Sequence, residues 1–366
     1  MSIHLRPFVT ACLLALATLV YYSLDLRREP VGPDEARILS AAQTPPAALL
    51  VNVGGDRWVQ PLGFYATTIS HRLSPGFFAG RRARVVVAAL NVGLILLVGL
   101  RLYSHWAPAL VAALILIFTP AHYAYGRLGV DAVYVIPFIL IWLYALLGFI
   151  QNDRPMAIGL ASASLGLGVY STPAAPLTMA FLWLLMMVSL WAAGRGKLST
   201  LGVAAGSFMA MLVPLAAWFY LHPATYLDTY GRWAIFAAHL RNPIDGVRAF
   251  INTNTLGTRA SAYWGVIDPS YLFFARGAAA APLLMVSAPL IIAGVVRCAR
   301  LVPQTAAVLI LVGAAIAPLA GSSFGETHYI GLALALLPFV ALLAGHGVDL
   351  VRHLIAPPPP PPAEER

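Results

Sequence analysis

The stretch that decides the fold is residues 5–37, LRPFVTACLLALATLVYYSLDLRREPVGPDEAR. Its first part, residues 5–26, is an apolar run long enough to cross a bilayer as a helix, which takes about 20 residues. A few residues later two carboxylates stand side by side, Asp34 and Glu35. Acids are scarce here, 14 among 366 residues, so this pair near a predicted membrane surface is a candidate for chemistry. It is equally an ordinary helix start after Pro33, because carboxylates are stabilised near the positive end of a helix dipole.

The composition identifies the class of protein. Apolar residues make up 60% of the sequence, charged residues 10%, and the mean hydropathy is +0.80. A soluble globular domain carries about 25% charged residues, so that class is excluded. The first apolar run lacks a small-residue cleavage site and further runs follow it, so we do not interpret it as a cleaved signal peptide. The sequence predicts an all-α polytopic membrane protein with one transmembrane domain over residues 1–350.

About ten membrane spans are predicted, and the fifth is rich in small residues. Its stretch 159–169, GLASASLGLGV, favours close packing between helices over exposure to lipid. The predicted spans are residues 7–25, 83–101, 107–125, 132–151, 156–171, 177–194, 198–220, 280–297, 303–319 and 329–347.

The distribution of basic residues predicts the orientation. With the N-terminus inside, the short outer links hold only Arg127, whereas the short inner links hold Arg101, Arg154, Arg195, Lys197, Arg297 and Arg300. The positive-inside rule then places both termini in the cytoplasm. Two long extracytoplasmic loops follow, 26–82 and 221–279. Their further arginines oppose this orientation, although long loops tend to translocate whatever their charge. Residues 351–366 contain six consecutive prolines and are predicted to form a disordered cytoplasmic tail.

Several other functions find no support in the sequence. The net charge of +9 does not indicate a nucleic-acid partner, because the basic residues are spread through loops and form no basic run. Cys12 and Cys298 imply no disulfide framework. No metal-spaced His/Cys cluster, P-loop or serine-nucleophile motif occurs in the sequence.

The first loop is predicted to have structure of its own. Residues 34–44 and 61–73 have helical patterns, and such helices would lie in the plane of the membrane interface. The stretch between them, residues 52–60, is a turn-rich connection. These helices could simply anchor the loop, or they could bring Asp34, Glu35 and Arg57 close to lipid headgroups.

Three further polar groups lie on the predicted outer side. Arg127 and Asp131 flank the turn before the fourth span, where they could pair with each other, or Asp131 could cap that span. Glu326 and His328 precede the last span, where a histidine is more often a hydrogen-bonded interfacial residue than a catalyst. Tyr263 and Asp268 lie in an aromatic stretch that would also suit a membrane-interface belt.

These pieces, in this order, resemble the GT-C class of integral-membrane glycosyltransferases. The likeness is to protein O-mannosyltransferases and the lipid A aminoarabinose transferase. It rests on the acid pair after the first span, residues 54–62 (GGDRWVQPL) leading into the second interfacial helix, and Arg127 with Asp131. Residues 263–274 (YWGVIDPSYLFF) and His328-Tyr329 before Leu336-Leu337-Pro338 extend it over about residues 5–350. The resemblance implies a GT-C-like bundle with interfacial helices in the first outer loop.

The resemblance also implies an activity. The donor would be a polyprenyl-phosphate sugar, a hexose or a pentose, reached at the periplasmic side of a bacterial inner membrane. An acceptor hydroxyl would attack the anomeric carbon in one inverting displacement. Asp34 would be the base, Glu35 would orient it or share that role, and Asp131 would be a second acid at the sugar or acceptor. Arg127 or Arg57 would bind the donor phosphate.

The sequence departs from the family at one motif. The family often carries a lysine in a Lys-Pro-Pro element of the first loop, where this chain has Val59-Gln60-Pro61. Recognition of the acceptor would come from loop 221–279 or from a membrane protein partner, with Tyr263, Asp268, Glu326 and His328 as candidate contacts to sugar or acceptor. No cofactor is required, although acids beside a phosphate could recruit a divalent metal.

Two other functions stay open. A non-catalytic membrane subunit with this fold could bind a partner protein or a lipid, and the missing lysine favours it. A transporter is the third alternative, although the sequence shows no inverted repeat or paired broken helices of the kind that transporters display.

Overall fold

The computed structural model describes residues 6–27, 30–54, 58–103, 105–128, 131–226, 245, 253–275, 281–322 and 330–355. This part of the chain is almost entirely helical. Its α-helices are α1 (Arg6–Ser23), α2 (Pro33–Gln43), α3 (Pro61–Leu73), α4 (Ala79–Leu102), α5 (Trp106–Phe118), α6 (Pro120–Arg127), α7 (Val135–Asn152), α8 (Pro155–Gly168), α9 (Ala175–Ala192), α10 (Leu198–Leu221), α11 (Leu256–Ile267), α12 (Pro269–Phe274), α13 (Ala288–Leu301), α14 (Thr305–Ser322) and α15 (Leu336–Ile355).

Among the described residues, seven helices are long and apolar enough to cross a membrane, or eight if the bent pair α5 and α6 forms one span. The seven are α1, α4, α7 with its leading turn, α9, α10, α14 and α15. Each of the ten predicted spans contains a helix, but α8 and α13 have only 14 residues each. In α13 the basic residues Arg297 and Arg300 shorten the apolar stretch. The all-α polytopic architecture is thus observed, and ten spans remains a prediction.

The predicted third span, 107–125, consists of two helices with a bend of 55° between them. Helix α5 ends at Phe118, and α6 begins at Pro120. Proline has no N–H to donate to the preceding turn and its ring clashes with that turn, which favours a bend or a break at this position.

Helix α4 lies at the centre of the part of the bundle that holds the candidate site. It packs against α1, α5 and α7, and its 24 residues correspond to about 36 Å. The span was predicted from residue 83, but the helix begins at Ala79. Its first turns therefore contain Arg81 and Arg84, both buried.

The C-terminal helices cross so closely that only glycine fits at the crossing. A Cβ on Gly294 of α13 would stand 1.8 Å from the Leu343 carbonyl oxygen of α15. A Cβ on Gly347 of α15 would stand 2.0 Å from the Leu290 carbonyl oxygen of α13. Helix α15 also packs on α5, which brings this pair of helices against the far end of α4.

The first loop contains both predicted helices, α2 and α3, within a residue of their expected bounds. Between them the structure has a small antiparallel hairpin, β1 (Val51–Asn52) and β2 (Trp58–Val59). Strands of two residues are too short to give the alternating pattern by which a strand is predicted. Val51 and Val59 pack with α2 and α3 in a small separate core.

Two helices, α4 and α15, extend beyond the segment boundaries predicted from the sequence. The first loop ends at residue 78, where α4 begins, rather than at 82. Helix α15 runs to Ile355, five residues into the segment predicted as a disordered tail. The tail prediction therefore concerns residues 356–366, which lie outside the described residues.

Candidate functional site

The two adjacent carboxylates lie at the start of α2 on different faces. A helix turns about 100° per residue, so neighbours cannot face the same way. The Asp34 side chain is 41% exposed, and its Oδ1 lies 3.9 Å from Nη1 of Arg37 on the same helix. Glu35 is buried. Asp34 is therefore the accessible member of the pair.

The buried Glu35 is bound by Arg81 of α4 through a two-point ion pair. Arg81 Nε donates to Oε1 at 2.9 Å, and Nη2 donates to Oε2 at 2.8 Å. The same guanidinium donates to the carbonyl oxygens of Leu26 and Pro30, each at 2.9 Å. Arg81 thus ties α2 and the connection before it to the start of α4. Forked arginine–carboxylate bonds of this kind are strong and directional.

A second acidic residue reaches α4 one turn later. Asp131 begins the 3-10 turn Asp131–Tyr134 before α7, and its Oδ1 accepts from Arg84 Nη2 at 3.3 Å. The same oxygen also lies against α3, where a Cβ on Gly63 would stand 2.0 Å from it. Asp131 therefore lies between Arg84 and Gly63. The site brings α2, α3, α4 and the turn before α7 to one point.

The two ion pairs are neighbours because Arg81 and Arg84 are three residues apart on α4. The small space lined by Glu35, Thr67, Gly80 and Arg84 has no room for a water molecule. At this end of the bundle, two buried arginines are therefore paired with carboxylates. The accessible Asp34 is next to one of these carboxylates, at the start of α2.

Arg127 does not pair with Asp131, which was one alternative from the sequence. Its Nη2 donates to the carbonyl oxygens of Leu24 and Asp25, each at 2.8 Å, and its guanidinium carbon lies 4.7 Å from the centre of the Tyr123 ring. Asp131 takes Arg84 instead. Arg127 and Arg81 line a common cavity of about 480 Å³ that opens beside the end of α1.

The other predicted site residues divide into two groups. Tyr263 donates its hydroxyl to the Ala315 carbonyl oxygen at 3.1 Å and so joins α11 to α14. Asp268 accepts from the Ser270 N–H at 3.0 Å and caps α12. Arg57, Glu326 and His328 lie outside the described residues. Tyr263 and Asp268 have structural contacts, and their role toward a substrate stays a prediction.

Sequence reasoning missed Arg81, Arg84 and Gly63. Arg81 was assigned to the first loop, 26–82, and Arg84 to the start of the predicted span 83–101, because the apolar window of α4 begins between them. Their spacing of three residues was the available signal, since that spacing puts both on one side of a helix. Within the described residues, no group of three or more His, Cys, Asp or Glu side chains is arranged to hold a metal ion.

Comparison with known proteins shows the fold. No family model and no curated protein matches the sequence. The crystal structure of ArnT from Cupriavidus metallidurans bound to undecaprenyl phosphate is similar to 93% of this chain, with a TM-score of 0.54 and 16% identity. Archaeal AglB from Archaeoglobus fulgidus, in complex with an inhibitory peptide and a dolichol-phosphate, is similar to 96%, with a TM-score of 0.52 and 15% identity.

The chain has the GT-C fold. ArnT, the lipid A aminoarabinose transferase, and the oligosaccharyltransferase AglB are both GT-C glycosyltransferases. The resemblance predicted from the sequence is confirmed at the level of fold, and the chain is an integral multi-pass membrane protein. It covers 60% of the ArnT chain and 51% of the AglB chain.

Proposed function

We propose that this GT-C chain is a glycosyltransferase that moves a sugar from a polyprenyl-phosphate donor to an acceptor hydroxyl at the extracytoplasmic face. The observation that carries the proposal is the likeness, over 93% of the chain, to a structure bound to undecaprenyl phosphate. Within that shared fold, this chain has an acid pair at the start of α2. Asp34 is accessible, and Glu35 is buried in an ion pair with Arg81.

The reaction we propose is a single inverting displacement. The acceptor oxygen forms a bond to the anomeric carbon while the bond from that carbon to the phosphate oxygen breaks, and the electron pair leaves with the lipid phosphate. The acceptor proton passes to the Asp34 carboxylate. A positioned general base accelerates such a step by roughly 10²–10⁴-fold.

Glu35 acts in this proposal as a positioning residue. Its carboxylate is bound at two points by Arg81, so both of its oxygens already accept hydrogen bonds from the guanidinium. By fixing α2 to α4, Glu35 holds Asp34 in one place. Of the two roles that the sequence left open for Glu35, orienting the base or sharing its work, this contact favours the first.

Arg127 is our candidate for the donor phosphate, and Asp131 for the sugar or acceptor. Arg127 lines the 480 Å³ cavity, and its Nη2 is committed to two carbonyl oxygens. Nε and Nη1 would therefore face the phosphate, whose growing negative charge arginine stabilises. Arg57 is the reserve candidate because it precedes the position where the family carries its lysine.

The finer assignments extend the same proposal. We place the active site on the periplasmic side of a bacterial inner membrane, with a hexosyl or pentosyl donor. The acceptor would be recognised by loop 221–279 or by a membrane protein partner, with Tyr263, Asp268, Glu326 and His328 as candidate contacts.

A non-catalytic membrane subunit is the second candidate, and one observation favours it. Glu35, Asp131 and Arg127 each contact a group of the same chain, which is what purely structural residues would do. Such a subunit would keep the fold and bind lipid or partner without transferring a sugar.

The deciding experiment measures sugar transfer by the purified chain in lipid nanodiscs, using polyprenyl-phosphate hexose and pentose donors. Asp34→Asn preserves the size of the side chain and removes the base, so we expect transfer to fall by at least about 100-fold while donor binding is kept. Ser40→Ala, at an exposed position of the same helix, is the matched control.

Full activity of Asp34→Asn would transfer the base role to Glu35. Donor binding by the parent chain without transfer from any donor would favour the non-catalytic subunit.

A further inference from the structure

A second polar cavity lies at the end of the bundle opposite the candidate site. It is formed by the C-terminal end of α4, the start of α5, the end of α13, the start of α14 and the last turns of α15. Its volume is about 230 Å³, and its polar lining residues are His105, Arg297, Gln304, His346, Asp349 and His353. Helix α4 runs from Arg81 and Arg84 at the candidate site to Leu102 at this cavity, so about 27–32 Å of helix separates the two sites.

The buried side chain of His346 and the partly buried side chain of Arg297 have donor groups that nothing in the described part of the chain accepts. His346 is 5% exposed, and neither of its ring nitrogens has a hydrogen-bond partner among the described residues. The same holds for the buried Nε of Arg297. A histidine carries at least one N–H in either tautomer, and an unsatisfied buried donor is costly, so each such group calls for an explanation.

The N-terminus of one helix contributes positive potential at one side of the cavity. Helix α14 begins at Thr305, and its first-turn residues Ala306 and Ala307 belong to the lining. Helix α5 begins directly after His105. The first N–H groups of a helix have no partner within it, and its N-terminus is a favourable position for an anion.

The acidic residue of the lining does not cancel this preference. Asp349 Oδ2 accepts from Arg297 Nη2 at 3.3 Å, and Oδ1 lies 3.7 Å from His353 Nε2. The carboxylate thus faces two basic side chains, one of them at hydrogen-bond distance. The ion pair uses Nη2 of Arg297, and Nε of this cavity-lining side chain keeps no partner among the described residues.

We propose that this cavity binds a phosphate group, with Arg297 and His346 as its buried donors and the start of α14 as its dipole. The volume of about 230 Å³ suits a phosphate with a few waters and is smaller than a pocket for a drug-sized ligand, which takes about 300–1,000 Å³. The phosphate could come from an anionic lipid headgroup or from free phosphate. The proposal is independent of the transferase activity.

The test measures the affinity of inorganic phosphate for the full chain in phosphatidylcholine nanodiscs, and separately the shift in unfolding temperature when phosphatidylglycerol is added. His346→Leu replaces the imidazole by an apolar side chain of similar size. It removes two nitrogens that have no hydrogen-bond partner among the described residues, so the variant should fold. We expect it to weaken phosphate-dependent effects about tenfold or more, as loss of one hydrogen bond to a charged group does. Arg297→Gln should act in the same direction.

Arg300→Gln is the matched control, because Arg300 is an exposed basic residue in the last turn of the same helix. It should keep the parent affinity within about twofold. Should His346→Leu fail to fold, Arg297→Gln replaces it.

A response to phosphatidylglycerol alone assigns the lipid headgroup, and binding of inorganic phosphate assigns the free ion. The proposal is overturned if neither probe acts on the parent, if His346→Leu or its replacement behaves like the parent, or if Arg300→Gln loses as much as they do.

Discussion

Asp34 and Glu35 are neighbours in sequence whose environments differ because one residue of helix turns the chain by about 100°. The Glu35 carboxylate faces α4 and is bound by Arg81, while Asp34 faces outward and is 41% exposed. A buried ion pair need not stabilise a protein, because both charges lose their hydration. Removing only one of the two partners is costly, because the other charge is left buried without compensation. The difference between single and double substitutions can be measured.

We predict that Glu35→Leu and Arg81→Met each lower the free energy of unfolding by about 3–5 kcal/mol, since each leaves an uncompensated buried charge. The double variant should recover most of that loss, because no charge is then left alone. The measurement is a double-mutant cycle by detergent-denaturant unfolding. Asp153→Asn is the control: it breaks a pair with Arg195 in which the Asp153 side chain is 70% exposed, and it should cost under about 1 kcal/mol. Additive single effects would mean that the pair is not coupled.

Arg127 allows a second prediction at this scale. Lysine keeps the charge but not the planar fork that contacts the Leu24 and Asp25 carbonyl oxygens and stacks on Tyr123. If Arg127 binds the donor phosphate, Arg127→Lys should weaken donor affinity at least about tenfold, measured with a polyprenyl-phosphate sugar in nanodiscs. Arg72→Lys, at an exposed position of α3, should change nothing. Parent-like affinity in Arg127→Lys would make Arg57 the remaining candidate.

The acids of the site could be predicted, and their partners could not. Asp34, Glu35 and Asp131 stand out because acids are rare in an apolar chain. Arg81 precedes the apolar window of α4, so hydropathy assigned it to a loop, and Arg84 was placed at the start of the predicted span 83–101 with no role. Which arginine meets which carboxylate depends on how α2 and α3 fold back on α4, and no local pattern encodes that. For this reason the sequence suggested Arg127 as the partner of Asp131, where the structure has Arg84.

At the scale of elements, α3 can approach the site closely because Gly63 has no side chain. Gly63 faces Asp131 directly, and the hydroxyl of Thr67 one turn later bonds back to the Gly63 carbonyl oxygen at 2.8 Å. The helix can therefore approach the turn before α7 closely enough to cover the Asp131–Arg84 pair.

We predict that Gly63→Ala destabilises the fold by about 1–3 kcal/mol, although alanine is the better helix former. Its Cβ would stand 2.0 Å from Asp131 Oδ1, so either α3 or the carboxylate must move. Gly202→Ala in α10 is the matched control, because no atom lies within 4 Å of the added carbon there, and it should be neutral or stabilising. Both are compared by thermal unfolding in detergent. If both variants unfold at the same temperature, α3 can move away from Asp131 without loss of stability, and the prediction is wrong.

Helices were predictable where a long apolar window or a proline start marks them. Both loop helices, α2 and α3, begin at a proline and lie within a residue of expectation. The break at Pro120 was missed because hydropathy continues through it, although proline itself was a signal. The hairpin of Val51–Asn52 and Trp58–Val59 was missed because its strands depend on each other and on the small core beneath them.

At the scale of the whole molecule, buried and partly buried ion pairs lie at both ends of the bundle. One end carries the Glu35–Arg81 and Asp131–Arg84 pairs, and the other carries the Arg297–Asp349 pair with the proposed phosphate cavity. The short links at the second end hold the basic excess from which the orientation was predicted. If that end is cytoplasmic, as the positive-inside rule predicts, the proposed active site faces the other compartment.

This orientation is testable with single cysteines in a chain whose Cys12 and Cys298 are replaced by alanine. Ser40→Cys lies at an exposed position of α2, near the candidate site, and Ser199→Cys is exposed at the start of α10, beside the basic link of Arg195 and Lys197. We expect a membrane-impermeant maleimide to label Ser40→Cys in intact cells, and Ser199→Cys only after the cells are permeabilised. The physical reason is the retention of basic links on the cytoplasmic side. The reverse pattern would place the acid pair in the cytoplasm and remove an extracytoplasmic transferase. Labelling of both cysteines in intact cells would contradict the assignment of these two positions to opposite ends of the bundle.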